Sequence, residues 1–121
     1  MTEIRNSKVY DLEDRTFIFA KDNRSLVKKL PKTIANIEDS KQLIKSTGSV
    51  GANYIEANEA FSKKDFILRT KICRKEAKES RYWLRLIDTG NDQELEKARK
   101  ALINEATELM NIFGSIIRKA E

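Results

Sequence analysis

The chain contains no histidine. That absence removes Ser-His-Asp and Cys-His catalysis and the usual zinc sites in one step. Cys73 is the only cysteine, so no intrachain disulfide can form, which agrees with a reducing compartment. One proline and four glycines among 121 residues leave little material for long loops. No apolar run approaches the ~20 residues that a membrane helix needs. Nor does a signal-peptide apolar region follow Met1-Thr2-Glu3-Ile4-Arg5. The expectation is a cytoplasmic protein without a membrane partner.

Charge and helix-forming residues are abundant. Charged residues make up 36% of the chain and hydrophobic ones 40%, with many Glu, Lys, Leu, Ile and Ala, a composition that suits a helical protein. The length allows a single domain, 1–121, with one modest core. The formal net charge is +5, and it is localised. Residues 62–89 hold 9 basic and 4 acidic residues, whereas 32–61 and 90–121 are each slightly acidic. A local excess of this kind says more about partners than the total does.

Residues 1–13 read as polar and irregular, with Val9, Tyr10 and Leu12 as packing points. A first helix is expected from about Asp14 to Leu30, ended by Pro31. Its face is Thr16, Phe19, Ala20, Asn23, Leu26, Val27 and Leu30. A second helix is expected from near Thr33 to about Ala60, with a stripe of Ile37, Ile44, Gly48, Gly51 and Ile55. Glycine in a helix costs about 1 kcal/mol against alanine, so the pair predicts a close helix contact or a bend. Ser62 and Asp65 form a capping arrangement for a third helix, with Phe61 and Phe66 spaced for a hydrophobic staple. That helix should reach about Asp88, with Gly90 as the left-handed residue that ends it. A fourth helix, about 92–119, carries Leu95, Ala98, Leu102, Ala106, Leu109, Phe113, Ile116 and Ala120. Four helices on short connections predict an all-α, antiparallel up-down-up-down four-helix bundle.

On a wheel of about 100° per residue, Lys63, Lys64, Lys71, Arg74, Lys75, Lys78, Arg81 and Arg85 fall within one arc of about 120°. No acidic residue enters that arc, and Ile67 and Tyr82 sit among the cations. A solvated face usually mixes signs to gain i,i+4 pairs. Eight cations without a carboxylate repel one another, so nucleic acid or another polyanion is the expected partner. Lys97, Arg99 and Lys100, by contrast, sit among Glu94, Glu96 and Glu105. The core stripe of the third helix is Phe66, Cys73, Ala77, Leu84 and Ile87. Leu68, Ile72, Trp83 and Leu86 widen the apolar surface beyond what an isolated bundle needs. Together with Phe17 and Ile18 of the first helix they predict an oligomer interface.

Segment 44–87 resembles the bacterial four-helix-bundle family encoded in intervening sequences of large-subunit ribosomal RNA genes. The family's hallmark is Ser-x-Pro-x-Asn-x-x-Glu-Gly late in its second helix, read here as Ser49, Asn53 and Glu56. A Ser-x-x-(Glu/Asp)-Phe start to the third helix follows, read here as Ser62, Asp65 and Phe66. The run Glu76-Ala77-Lys78-Glu79-Ser80-Arg81-Tyr82-Trp83-Leu84 is similar to the family's Glu-rich third helix. Gly51 stands in place of the hallmark Pro, and Ala57 in place of the Gly. The resemblance implies a ring-like homopentamer. It also implies kinship with accessory proteins of diversity-generating retroelements, which bind nucleic acid and a reverse transcriptase.

The remaining candidates read as structural. Asn53 and Glu56, three apart, suit a hydrogen-bonded pair between helices. Glu56, Glu59, Glu76 and Glu79 lack the Glu-x-x-His partners of di-metal bundles, so no metal or cofactor is expected. Cys73 on a core stripe suits a buried, inert thiol. Tyr82, inside the basic arc, is a candidate for stacking on bases, while packing is the expectation for Trp83. The reading is a non-enzymatic, oligomeric, nucleic-acid-binding bundle. The alternative is a protein-interaction module whose basic face docks an acidic partner.

Overall fold

The computed structural model describes residues 11–121, so the packing points expected at Val9 and Tyr10 lie outside the described residues. Four helices make up the described chain: α1 Leu12–Lys29, α2 Ile34–Asn58, α3 Lys63–Leu86 and α4 Gln93–Ala120. Each start is capped by an oxygen-bearing side chain that accepts from a backbone N–H three residues on. The caps are Asp11, Thr33, Ser62 and Asp92. With Asp11 as its cap, α1 starts at Leu12, two residues before the expected Asp14, and Leu12 is buried, so 12–13 are helical and not irregular.

The helices pack in chain order around a square. α1 lies against α2 and α4, α3 lies against α2 and α4, and the diagonal backbones stay apart, with side chains meeting across the core where the Tyr54 and Phe113 rings lie 5.9 Å from each other. Cross-helix contacts fix the directions. Early α1 meets late α2 (Glu13 with Asn58), and late α1 meets mid α2 (Arg24 with Ile44). Asn53 meets Arg69 and Ser46 meets Ser80 across α2 and α3. Arg81 meets Thr107 and Leu84 meets Arg99 across α3 and α4. Every neighbouring pair therefore runs antiparallel, as the short connections require.

The core is Leu12, Phe19, Leu26 and Leu30 of α1 and its end, and Leu43 and Val50 of α2. Cys73, Ala77, Leu84 and Ile87 come from α3, and Leu95, Leu102, Ala106, Leu109 and Phe113 from α4. The α1 and α4 faces follow the expected stripes, except that Ala98 is exposed and Ile117, not Ile116, is buried. In α2 the expected stripe is one position off. Its buried line is Asn36, Ser40, Leu43, Thr47, Val50 and Ala57, whereas Ile37 and Ile55 are exposed. The line steps by four and three, as a bundle seam does. Polar side chains hold several of its positions, which hides it from a search for hydrophobicity. Phe61 is fully exposed, so no staple with Phe66 forms. At the end of α3, Ile87 turns extended and ends the helix. Gly90 (φ +68°) and Asn91 (φ +65°) then shape the turn itself, beyond the helix end that Gly90 was expected to cap.

The two helical glycines do different work. A Cβ on Gly51 would lie 3.0 Å from Thr16 Oγ1 and 3.3 Å from Thr16 Cβ, so α1 crosses close over this position. A Cβ on Gly48 would meet only the flexible end of Arg24, at 3.3 Å. α2 runs unbroken past both. Gly51→Leu should therefore destabilise the fold by ~1–3 kcal/mol through overpacking. Gly48→Ala should stabilise it by about 0.5–1 kcal/mol through helix propensity. Urea melts measure both; equal shifts in one direction would show that the α1–α2 contact is not where the structure puts it.

Candidate nucleic-acid interface

α3 presents its cations as ordered rows. Lys64, Lys71, Lys78 and Arg85 recur every seven residues, about 10 Å apart along the axis. All four are exposed, as are Lys63, Arg74 and Lys75. Among the described residues, no ion pair shorter than 4.0 Å involves Lys63, Lys64, Lys71, Arg74, Lys78 or Arg85. Two members of the expected arc are partly engaged. Lys75 Nζ lies 3.5 Å from the largely buried Glu76 carboxylate, and half-buried Arg81 donates to Thr107 Oγ1 at 3.2 Å. A carboxylate thus reaches the edge of the arc from outside it, and one arginine leans toward α4.

The C-terminal end of the helix is tied to α4. Arg99 of α4 donates to the Leu84 carbonyl (3.1 Å), covering an orphan acceptor at the C-terminal end of α3. Its guanidinium also pairs with Glu96 at 2.6 Å, and this pairing pulls the Glu96 carboxyl down to about 2. Arg99 is therefore a structural residue, unlike the neighbouring exposed Lys97 and Lys100 with which the sequence groups it. Cys73 is fully buried, and desolvation pushes its thiol up to about 12, which keeps it protonated and inert.

The hallmark residues brace α2 against α3. Asn53 Nδ2 donates to the Ser49 carbonyl (2.9 Å) and to Ser49 Oγ (3.0 Å), while Arg69 Nη1 donates to Asn53 Oδ1 (3.3 Å). The partner of Asn53 is thus Ser49 and Arg69. Glu56 points to solvent and does not pair with Asn53. A model of the 23S rRNA-intervening sequence protein family matches residues 8–115. The chain belongs to that family. It is also similar to a crystal structure of a protein with unknown function from the S23 ribosomal protein family of Bacteroides thetaiotaomicron. The identity is 33%, over 88% of this chain and 97% of that one, with a TM-score of 0.73. No curated protein shows significant similarity to the chain.

Within this intervening-sequence protein the expected interface residues divide over several sides. Leu68 and Leu86 are exposed on α3, and Ile72 and Trp83 are half-buried, Trp83 packing on the core. Phe17 and Ile18 are both exposed but diverge. Phe17 lines a groove between α1 and α2 with Ala20, Ala52 and Ile55, whereas Ile18 lines one between α1 and α4. The α1–α4 seam is the acidic side of the molecule, rimmed by Asp11, Asp14, Asp22, Asp92, Glu94, Glu105 and Glu108. There Arg15 is clamped by Glu105 (2.7 Å) and Glu108 (2.8 Å). Sequence reasoning missed this seam because its acids come from two helices distant in the chain. Among the described residues, no helix is long and apolar enough to cross a membrane, and no three His, Cys, Asp or Glu side chains gather as a metal site.

Proposed function

We propose that this intervening-sequence protein is a non-enzymatic, oligomeric bundle that binds nucleic acid through the basic face of α3. The observation that carries the reading is the exposed row Lys64, Lys71, Lys78 and Arg85, whose charges are left without partners among the described residues. Lysines meet phosphates as point charges, so binding is mainly electrostatic and independent of sequence along most of the face. Salt-dependent binding of RNA or DNA tests it. Absence of binding at low salt, with capture of an acidic protein instead, would replace nucleic acid with a protein partner.

Self-assembly follows from the exposed apolar side chains, with a ring of five copies as the form that the family resemblance implies. Phe17 and Leu68 lie on different sides of the bundle, so a contact between them joins unlike faces, the head-to-tail geometry that a ring needs and a two-fold dimer lacks. Phe17→Glu or Leu68→Glu should dissociate the assembly and leave the helix content intact. Light scattering that reports a monomer for the unmodified protein at micromolar concentration would end this part of the proposal.

A further inference from the structure

Beside the cation rows, α3 and α2 frame an open cleft of about 510 Å³ lined by Gln42, Lys75, Lys78, Glu79, Tyr82 and Trp83. Resting on the nucleic-acid reading of α3, we propose that this cleft is a subsite for one unpaired base, guanine by preference, so that the ligand is single-stranded.

Four observations converge. First, Tyr82 leaves 55% of its surface in water in the middle of a cationic face, where a lysine would serve a purely electrostatic surface better. Second, the ring is preorganised. Trp83 meets it edge-on, with centroids 5.0 Å apart and planes at 78°, and Trp83 is itself packed on the core. A ring held this way offers its open face to a base at a reduced ordering cost. Third, Lys75 and Lys78 lie seven and four residues before Tyr82, on the same side of the helix. They are placed for the phosphates that flank a stacked base. Fourth, Glu79 and Gln42, which carry a carboxylate and a carboxamide, also line the cleft. A carboxylate repels phosphate, so the cleft does not suit the backbone. It suits a neutral base edge that donates hydrogen bonds.

Guanine fits that pair of groups best. Its Watson–Crick edge presents two adjacent donors for a carboxylate and one acceptor for an amide N–H. In a duplex that edge is paired and both faces of the base are stacked, so the cleft cannot engage it.

The test uses the full chain, in which Trp83 is the only tryptophan and reports directly on the cleft. An oligouridylate carrying one guanosine is titrated at low salt, alongside a duplex of equal length. Binding is measured by anisotropy and Trp83 by its emission. The expected result is that the single strand quenches Trp83 and the duplex does not. Tyr82→Ala should weaken single-strand binding about tenfold and leave duplex binding unchanged, and Tyr82→Phe should retain it. Glu79→Gln should remove the preference for the guanosine-bearing strand over plain oligouridylate. Binding without quenching, or equal loss on both ligands from Tyr82→Ala, would overturn the subsite while leaving the basic face standing. Failure of both ligands to bind would overturn the nucleic-acid reading itself.

Discussion

Asn36→Ala should lower the stability of the bundle by about 2–4 kcal/mol, the largest effect expected from any single polar residue here. Asn36 is 2% exposed and joins two connections at one end of the molecule. Its Nδ2 donates to the Pro31 carbonyl (2.9 Å) and to the Asp88 carbonyl (2.8 Å), and its Oδ1 accepts from the Asp88 N–H (2.9 Å). Alanine would leave these backbone groups without partners in a part-buried setting, and each orphan costs about 1–3 kcal/mol before any relaxation. The same junction is tight elsewhere. A Cβ built on Gly90, at φ +68°, would lie 2.9 Å from Pro31 Cγ, so the two loops pass close to each other there. For a domain whose total stability is roughly 5–15 kcal/mol, the change is large. Urea denaturation should show a midpoint lower by about 1–2 M with an unchanged slope. A shift corresponding to less than 1 kcal/mol would mean that the Asn36 bridge is absent in solution.

The largest functional effect is expected from the triple replacement Lys71→Glu, Lys75→Glu and Lys78→Glu. If three phosphate contacts are lost, the slope of log K against log salt should flatten by about 3 for duplex and about 2 for single strands. At low salt the affinity should fall on the order of a hundredfold or more, since three exposed charge contacts at up to about 1 kcal/mol each are lost and carboxylates stand in their place. The loss should be similar for unrelated sequences, because these lysines touch no base. The control is Lys21→Glu, Lys97→Glu and Lys100→Glu, three exposed lysines on α1 and α4 that change the net charge equally. Arg99 is kept out of that control because its side chain covers the end of α3. A greater loss from the α3 triple reports the local surface. Equal loss from the two triples would reduce the effect to bulk charge.

Much of this architecture was legible in the chain before any coordinates. Pro31, the Ser62 and Asp65 pair, and the Thr89-Gly90-Asn91-Asp92 turn punctuate four long segments, and the structure breaks the helices at those places. Local chemistry is sufficient there, because caps and breakers act on their own backbone. The basic face of α3 was legible for a related reason. It is a single helix, so spacing alone places its residues on one side.

What failed was whatever depended on two helices at once. The isoleucines at 37, 44 and 55 drew the α2 stripe one position away from its true line. The buried positions there are Asn36, Ser40 and Thr47 as well as Leu43 and Val50, and hydrophobicity does not mark the polar ones. Asn36 and the neighbouring Ser46 are tolerated inside because partners arrive from elsewhere, Asp88 across the connections and Ser80 of α3 at 2.9 Å, while Thr47 donates to the Ile44 carbonyl of its own helix. Likewise the contact between helices expected at Asn53 and Glu56 is made at Asn53, through Arg69 of α3, while Glu56 is exposed.

By itself, then, the sequence determined the helix count, the Ser62 cap, the connections and the sign of the α3 surface, since each rests on interactions within a few residues. The tertiary structure alone decided which face of α2 is buried, that Gly51 rather than Gly48 is the crossing point, and that Gln42 and Glu79 share a cleft with Tyr82. Each of these is set by the rotation of one helix against its neighbour, and that rotation is chosen by packing and hydrogen-bond satisfaction over the whole bundle rather than by any one segment.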